Sequence, residues 1–226
     1  MDEIRLINIK ESILADNQGL AELIRTDLHS RGIFMLNLMA SPGAGKTSLI
    51  IETLRRMKDE YSFSVIEGDI ESQVDSEKVA KEGVSAVQLR TGGACHLDAS
   101  MVKAGLDNVE LDAVDAVIIE NIGNLVCPAD FDLGENRKAM ILSVPEGDDK
   151  VLKYPLMFSV CHALVINKID YLEISNFNLE ALEARVRSLN PDICIFKTSC
   201  TTGEGLDEWC SWLRKEIERA APPAVG

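Results

Sequence analysis

The junction at residues 33–47 constrains this chain more than any other stretch. An apolar run, Ile33-Phe34-Met35-Leu36-Asn37-Leu38-Met39, leads into Ala40-Ser41-Pro42-Gly43-Ala44-Gly45-Lys46-Thr47. A helical pattern follows, with Leu49, Ile50, Thr53, Leu54 and Met57 at three- and four-residue spacing. A strand that ends in a glycine loop and opens a helix at Gly-Lys-Thr points consecutive backbone N–H groups and the positive helix end at one anion. The junction therefore predicts a nucleotide held at the edge of an α/β sheet.

The loop departs from G-x-x-x-x-G-K-[ST] at one place, where Ala40 stands in the position of the first glycine. Gly43 and Gly45 still allow positive φ and close backbone approach. Lys46 supplies a cation for the β- and γ-phosphates, and Thr47 a hydroxyl for Mg²⁺. The expected cradle is Gly43, Ala44, Gly45, Lys46, Thr47 and Ser48, with Lys46 also a candidate catalytic residue.

Apolar runs recur at 63–66, 84–89, 114–119, 139–144, 161–166 and 193–196. Helical patterns at 46–58, 74–82, 98–106, 151–159, 178–189 and 205–219 separate most of them. That alternation predicts an α/β fold with a mostly parallel sheet covered by helices on both faces. Ile13, Leu14, Leu20, Leu23, Ile24 and Leu28 precede Gly32 at broken helical spacing, which predicts one or two helices as an N-terminal cap. The expected organisation is a helical extension over 1–31, a P-loop domain over 32–219 and a frayed tail over 220–226.

The net charge of −14 over 226 residues argues against nucleic acid and anionic membrane, whose binding rests on clustered Lys and Arg. It also means that a nucleotide needs Mg²⁺ to offset repulsion. The acidic start, Met1-Asp2-Glu3-Ile4-Arg5, and the lack of an apolar stretch near the length of a membrane span predict a cytoplasmic protein. In a reducing compartment the six cysteines are expected as buried small hydrophobes, reactive thiols or metal ligands, with Cys161, Cys194 and Cys210 buried.

Leu164-Val165-Ile166-Asn167-Lys168-Ile169-Asp170 reads as a strand followed by Asn-Lys-x-Asp, a guanine-reading signature. The Asp170 carboxylate can accept from both N1–H and the exocyclic amine of guanine, whereas adenine presents a lone pair at N1. Hydrogen bonds to a charged group are worth about 1.5–3 kcal/mol each, so the pair selects GTP over ATP. Lys168 is expected to lay its stem across the base and Asn167 to tie this loop to the cradle. Ser199 and Cys200, after the run at 193–196, occupy the place of a backbone donor to the guanine carbonyl.

Val117-Ile118-Ile119-Glu120-Asn121-Ile122-Gly123 is an apolar strand ending in an acid, with Gly three positions on. Glu120 can reach Mg²⁺ directly or through water, and the Gly123 N–H can meet the γ-phosphate. In Glu67-Gly68-Asp69-Ile70-Glu71-Ser72-Gln73-Val74-Asp75, both Asp69 and Asp75 are candidates to hold Mg²⁺ or orient the attacking water, and equally to cap a helix or face solvent. Asn124 stands where many GTPases place a water-positioning Gln, so slow intrinsic hydrolysis is expected.

Cys95 and His96 follow the run at 84–89, and Cys127 follows the strand ending at Glu120. All three fall beyond strand C-termini, the edge where open α/β sheets bind ligands. Two thiolates and an imidazole suit Zn²⁺, and also Ni²⁺, although a Cys-His neighbour pair is also compatible with packed side chains.

Six segments together carry a family resemblance from about residue 30 to 215: the cradle at 40–47, Glu67–Glu71, Thr91–Ala99, Glu120–Glu135, Glu146–Pro155 and Val165–Asp170. They closely resemble the HypB family of hydrogenase nickel-incorporation GTPases, P-loop NTPases of the SIMIBI type. The resemblance implies GTP hydrolysis to GDP, a nucleotide-favoured homodimer, and a Zn²⁺ or Ni²⁺ site from Cys95, His96 and Cys127 near the dimer interface. It further implies service to a [NiFe]-hydrogenase precursor alongside a second nickel-maturation accessory protein. Many members carry an N-terminal Cys-rich or His-rich nickel motif, whereas residues 1–39 here contain no Cys and only His29. Related GTPases serving urease or cobalamin enzymes and a P-loop small-molecule kinase are the alternatives. The urease type typically shows Cys-Pro-His where this chain has Cys95-His96-Leu97.

Overall fold

The computed structural model describes residues 9–69 and 74–221. Seven strands, β1 (Phe34–Ala40), β2 (Phe63–Asp69), β3 (Ser85–Arg90), β4 (Ala116–Glu120), β5 (Arg137–Ser143), β6 (Ala163–Asn167) and β7 (Cys194–Thr198), form one sheet in the order β3-β2-β4-β1-β5-β6-β7. Every pairing is parallel. Each predicted apolar run coincides with a strand. Because β1 lies at the centre with neighbours on both sides and helices above and below, all seven of its residues are buried.

The helices among the described residues are α1 (Ile9–Arg31), α2 (Lys46–Met57), α3 (Val74–Ala80), α4 (Ala99–Leu106), α5 (Cys127–Asp130), α6 (Lys150–Lys153), α7 (Pro155–Val160), α8 (Leu179–Leu189) and α9 (Leu206–Ala220). Alternate side chains of β1 divide the core. Phe34, Leu36 and Leu38 pack with Leu49 and Leu54 of α2 and Trp209 and Leu213 of α9. On the opposite face Met35 joins Ile24 and Leu28 of α1 and Val102 and Leu106 of α4, while Met39 joins Phe158 of α7 and Leu182 of α8. Burying each of these large side chains contributes roughly 1.5–3 kcal/mol.

Residues 12–31 lie within one continuous helix, which ends where Gly32 turns to φ 70°. The pattern at 151–159 divides into α6 and α7, because Pro155 has no N–H to donate and its ring crowds the preceding turn. Cys161 and Cys210 are buried as expected; Cys194 is only half-buried, since it opens the edge strand β7. Among the described residues no helix is long and apolar enough to cross a membrane.

Candidate functional site

The C-terminal ends of β1, β2 and β4 frame a cavity of about 510 Å³ whose walls include Gly45, Lys46, Thr47, Asp69, Glu120 and Gly123. Between β1 and α2 the chain turns through Gly43 at φ 75° and Gly45 at φ 105°. Ala40 is the last residue of β1, paired with Ile141 and fully buried, so its methyl group belongs to the core and not to the phosphate loop. That placement explains why the glycine usual at this position is dispensable. Lys46 is buried at the start of α2, and Ser48 joins Gly43, Gly45 and Thr47 in the cavity wall.

Thr47 Oγ1 donates to Glu120 Oε1 at 3.0 Å, placing a hydroxyl and a carboxylate side by side at the strand edge. Glu67 of β2 is paired in register with Glu120 of β4, and both are nearly fully buried. Two carboxylates, Asp69 at the end of β2 and the Thr47 hydroxyl make an all-oxygen donor set near a buried lysine, which fits a hard divalent cation accompanied by phosphates. Gly123 approaches the phosphate loop so closely that a Cβ there would lie 2.8 Å from Pro42. Asp75 falls in α3, but its side chain lies outside the described residues.

The base loop is tied to the cradle by two bonds. Asn167 Nδ2 donates to the Ala44 carbonyl at 3.0 Å, and Lys168 Nζ donates to the Gly43 carbonyl at 2.8 Å. Lys168 has φ 61°, the one left-handed non-glycine among the described residues, and such backbone persists only where its surroundings fix it. Asp170 follows at the exposed start of a 3₁₀ turn. Asn167 Oδ1 accepts from Thr198 Oγ1 at 3.3 Å and from Cys200 Sγ at 3.6 Å, bringing the end of β7 and the loop after it onto the Asn-Lys-x-Asp segment. Buried Ser199 holds that loop by accepting from the Thr201 and Thr202 N–H groups. Asp170, Ser199 and Cys200 do not line the 510 Å³ cavity; of the base loop only Lys168 does.

Cys95, His96 and Cys127 come together with all their ligand atoms within 4.8 Å of one another. The two Sγ atoms are 3.1 Å apart, and Cys95 Sγ lies 3.7 Å from His96 Nδ1. The His96 ring stacks on Phe131 at 4.0 Å between centroids. Partial burial holds the imidazole below its ordinary pKa against the opposing pull of Asp98 and Asp130, so it is neutral near pH 7. The hydrogen bond with Cys95 is the largest of the causes that push the Cys127 thiol up. Soft thiol donors and a neutral imidazole, half-exposed, suit a borderline ion such as Zn²⁺ or Ni²⁺.

Several residues of the site carry no motif. Glu67 lies within the Glu67–Glu71 segment, where the sequence assigns a role only to Asp69. Asn37, Asn121 and Glu135 form a buried hydrogen-bonded chain beneath the site, through Asn121 Nδ2 to Asn37 Oδ1 at 3.1 Å and Asn37 Nδ2 to Glu135 Oε1 at 3.1 Å. The available signal was the lone amide of Asn37 in an otherwise apolar strand, since a buried amide demands a partner.

A parallel sheet with a glycine cradle at Lys46-Thr47 and an Asn-Lys-x-Asp loop bonded to it defines a P-loop nucleotide-binding protein of the GTPase class. Residues 34–197 match the CobW/HypB/UreG nucleotide-binding domain. The chain is 44% identical over 221 residues to hydrogenase maturation factor HypB of Escherichia coli K12, covering 98% of this chain and 76% of that protein. It is 41% identical over 211 residues to the hydrogenase/urease maturation factor HypB of Helicobacter pylori J99, covering 92% and 86%. The crystal structure of HypB from Helicobacter pylori in complex with nickel superposes with a TM-score of 0.86 at 38% identity, covering 93% of this chain and 99% of that one. The chain belongs to the CobW/HypB/UreG family, on its HypB branch.

Proposed function

We propose that this chain is a GTP-hydrolysing metallochaperone that couples the nucleotide cycle to nickel handling, with Zn²⁺ as the competing ion, in the maturation of a [NiFe]-hydrogenase precursor. One observation carries the reading: Glu120, the carboxylate bonded to the cradle at the end of β4, and Cys127, a thiol of the Cys95–His96–Cys127 cluster, are joined by one short stretch of chain. Residues 32–219 act as the GTPase domain, preceded by the extension 1–31 and followed by the tail 220–226, in the cytoplasm.

In this reading the cradle N–H groups of Gly43–Ser48 and the Lys46 ammonium hold the phosphates, while Asp170 reads guanine against Lys168 and the loop of Ser199 and Cys200. Thr47 and Glu120, with Asp69 or Asp75, are the oxygen donors for Mg²⁺, which when bound offsets the charge spread over the transferring phosphoryl group. Asp69 and Asp75 are also the candidates to orient the attacking water. Asn124 is engaged elsewhere, donating to the Cys95 carbonyl and accepting from the Val126 N–H, which supports slow turnover until a partner supplies what is missing. Three ligands per chain leave a tetrahedral ion one short, so a second subunit, water or an acceptor completes the shell and the ion stays exchangeable. A GTP-favoured homodimer, the precursor enzyme and a second accessory protein are the expected partners. The Helicobacter pylori relative is a hydrogenase/urease maturation factor, and that makes a urease precursor the second client to test.

Phosphate release from GTP and ATP under Mg²⁺, with Ni²⁺ and Zn²⁺ uptake measured alongside, tests the proposal. GTP turnover well above ATP turnover is expected, as are its loss in Lys46→Ala and the loss of stoichiometric ion binding in Cys127→Ala. Absence of GTP hydrolysis, transfer of phosphate to a small acceptor, or failure to take up either ion would overturn it.

A further inference from the structure

The loop that follows β4 sends its contacts to two sides in turn. Glu120 meets Thr47, and Gly123 lies against Pro42, so these two face the phosphate loop. Asn121 and Asn124 face the segment that carries Cys95 and His96. Asn121 is buried, and its Oδ1 accepts from the Leu97 N–H at 3.3 Å and from the Ile122 N–H at 2.9 Å. Asn124 Nδ2 donates to the Cys95 carbonyl at 3.1 Å, while its Oδ1 accepts from the Val126 N–H at 2.9 Å. The backbone on both sides of His96 is therefore held by side chains of the loop that touches the cradle.

A second route runs beneath the sheet edge. Asn121 Nδ2 donates to Asn37, Asn37 donates to Glu135, and Glu135 Oε2 accepts from the Leu133 N–H at 2.7 Å. Leu133 lies two residues after Phe131, whose ring supports His96. Asn37 and Asn121 are almost wholly buried, and an unpaired buried amide costs about 1–3 kcal/mol, so a broken link in this chain is not neutral. The links also couple the two routes, since Asn121 takes part in both.

We infer that Asn121 and Asn124 are positioning residues that transmit the state of the phosphate cradle to the Cys95–His96–Cys127 cluster. The inference rests on the GTP-linked metal reading above and names the residues that carry its regulation. Displacement of Gly123 by a γ-phosphate moves the loop, and the two asparagines carry the Cys95 carbonyl and the Leu97 N–H with it. Ligand distances in a metal site hold to about ±0.2 Å, so a sub-ångström shift of His96 against Cys127 changes the affinity for the ion. Coupling between two sites in one protein typically amounts to about 5–150-fold in affinity.

The test is the Zn²⁺ dissociation constant of the full chain with Mg²⁺-GDP and with a Mg²⁺-bound non-hydrolysable GTP analogue, in wild type, Asn124→Ala and Asn121→Ala. Hydrogen exchange at the Leu97 amide in metal-free protein serves as a readout independent of the ion. Wild type is expected to differ between nucleotides by about five-fold or more, and Asn124→Ala to bring the ratio to within about two-fold with its melting temperature retained. Leu97 exchange should respond to the nucleotide in wild type and cease to respond in Asn121→Ala, which removes the acceptor of that amide. A variant that keeps the wild-type ratio, or that weakens Zn²⁺ equally in both nucleotides, overturns the inference, because either result assigns the asparagines a merely structural role. A wild type indifferent to nucleotide overturns the inference and the parent reading together; a coupled wild type with equally coupled variants overturns the inference alone. Should Asn121→Ala fail to fold, half-buried Asn124 still decides the matter.

Discussion

The Thr47 hydroxyl is bonded to Glu120 Oε1 at 3.0 Å, fastening the first turn of the phosphate-loop helix to the end of a strand 73 residues later. Replacing Glu120 by Gln keeps an acceptor for Thr47 and removes the negative charge. Phosphate release under Mg²⁺ should fall by about 10²–10³, the usual loss when one electrostatic partner of a transition state is removed. GDP affinity measured without Mg²⁺ should change little. Unaltered turnover in Glu120→Gln would remove the residue from the cation site.

Gly45 carries φ 105°, and a Cβ there would stand 2.4 Å from Asn167 Nδ2, the atom that donates to the Ala44 carbonyl. Gly45→Ala is thus strained in its backbone and displaces the bond between base loop and cradle. A stability loss of about 1–3 kcal/mol is expected in denaturant unfolding, with GDP affinity weakened in parallel. A variant of wild-type stability would show that the cradle tolerates a different turn.

Asp170 sits exposed at the start of its turn, free to face a base edge. Asp170→Asn exchanges an acceptor for a donor, which opposes the guanine amine and suits the 2-oxo group of xanthine. At about 1.5–3 kcal/mol for each charged hydrogen bond, GDP affinity should fall by about 10²–10⁴ while XDP gains. Competition binding with the two diphosphates checks the prediction; equal loss of both would mean that the substitution disorders the loop.

Metal uptake should depend on pH through the thiols. His96 has its pKa lowered by burial and is already neutral at pH 7, whereas the Cys127 thiol is raised. Binding must expel the Cys127 proton, so the logarithm of Zn²⁺ affinity should rise between about pH 7 and 9 with a slope of about one or more. His96 adds to that slope only below about pH 6.5. In the metal-free protein the unfolded chain takes the histidine proton first, and the folded state loses stability as pH falls through about 6.5. A Zn²⁺ titration that levels off above pH 7 would place the imidazole, and not the thiols, in control.

All seven strands could be read from apolar runs: the five inner ones are covered on both faces and so nearly continuously apolar, while the half-buried edge strands β3 and β7 keep enough apolar residues to stand out. The cradle and Asn-Lys-x-Asp were legible for a related reason, as phosphate and base contacts are written in a few consecutive residues. The strand order was not legible, and neither was the one-turn helix at Cys127–Asp130. The asparagine chain is not legible in the sequence because Asn37, Asn121 and Glu135 lie 84 and 98 residues apart along its bonds, and only the folded sheet edge brings them together. Lys168 shows a finer limit: its ammonium meets the Gly43 carbonyl, a contact set by a left-handed backbone that the sequence does not announce.

The central claim is that triphosphate at the cradle changes how Cys95, His96 and Cys127 grip an ion. Its most direct measurement is the Ni²⁺ dissociation constant of the wild-type chain under Mg²⁺, first with GDP and then with a non-hydrolysable GTP analogue. The account predicts constants that differ by about five-fold or more, with the difference abolished in Cys127→Ala. Identical constants in the two nucleotide states of the wild type would contradict it.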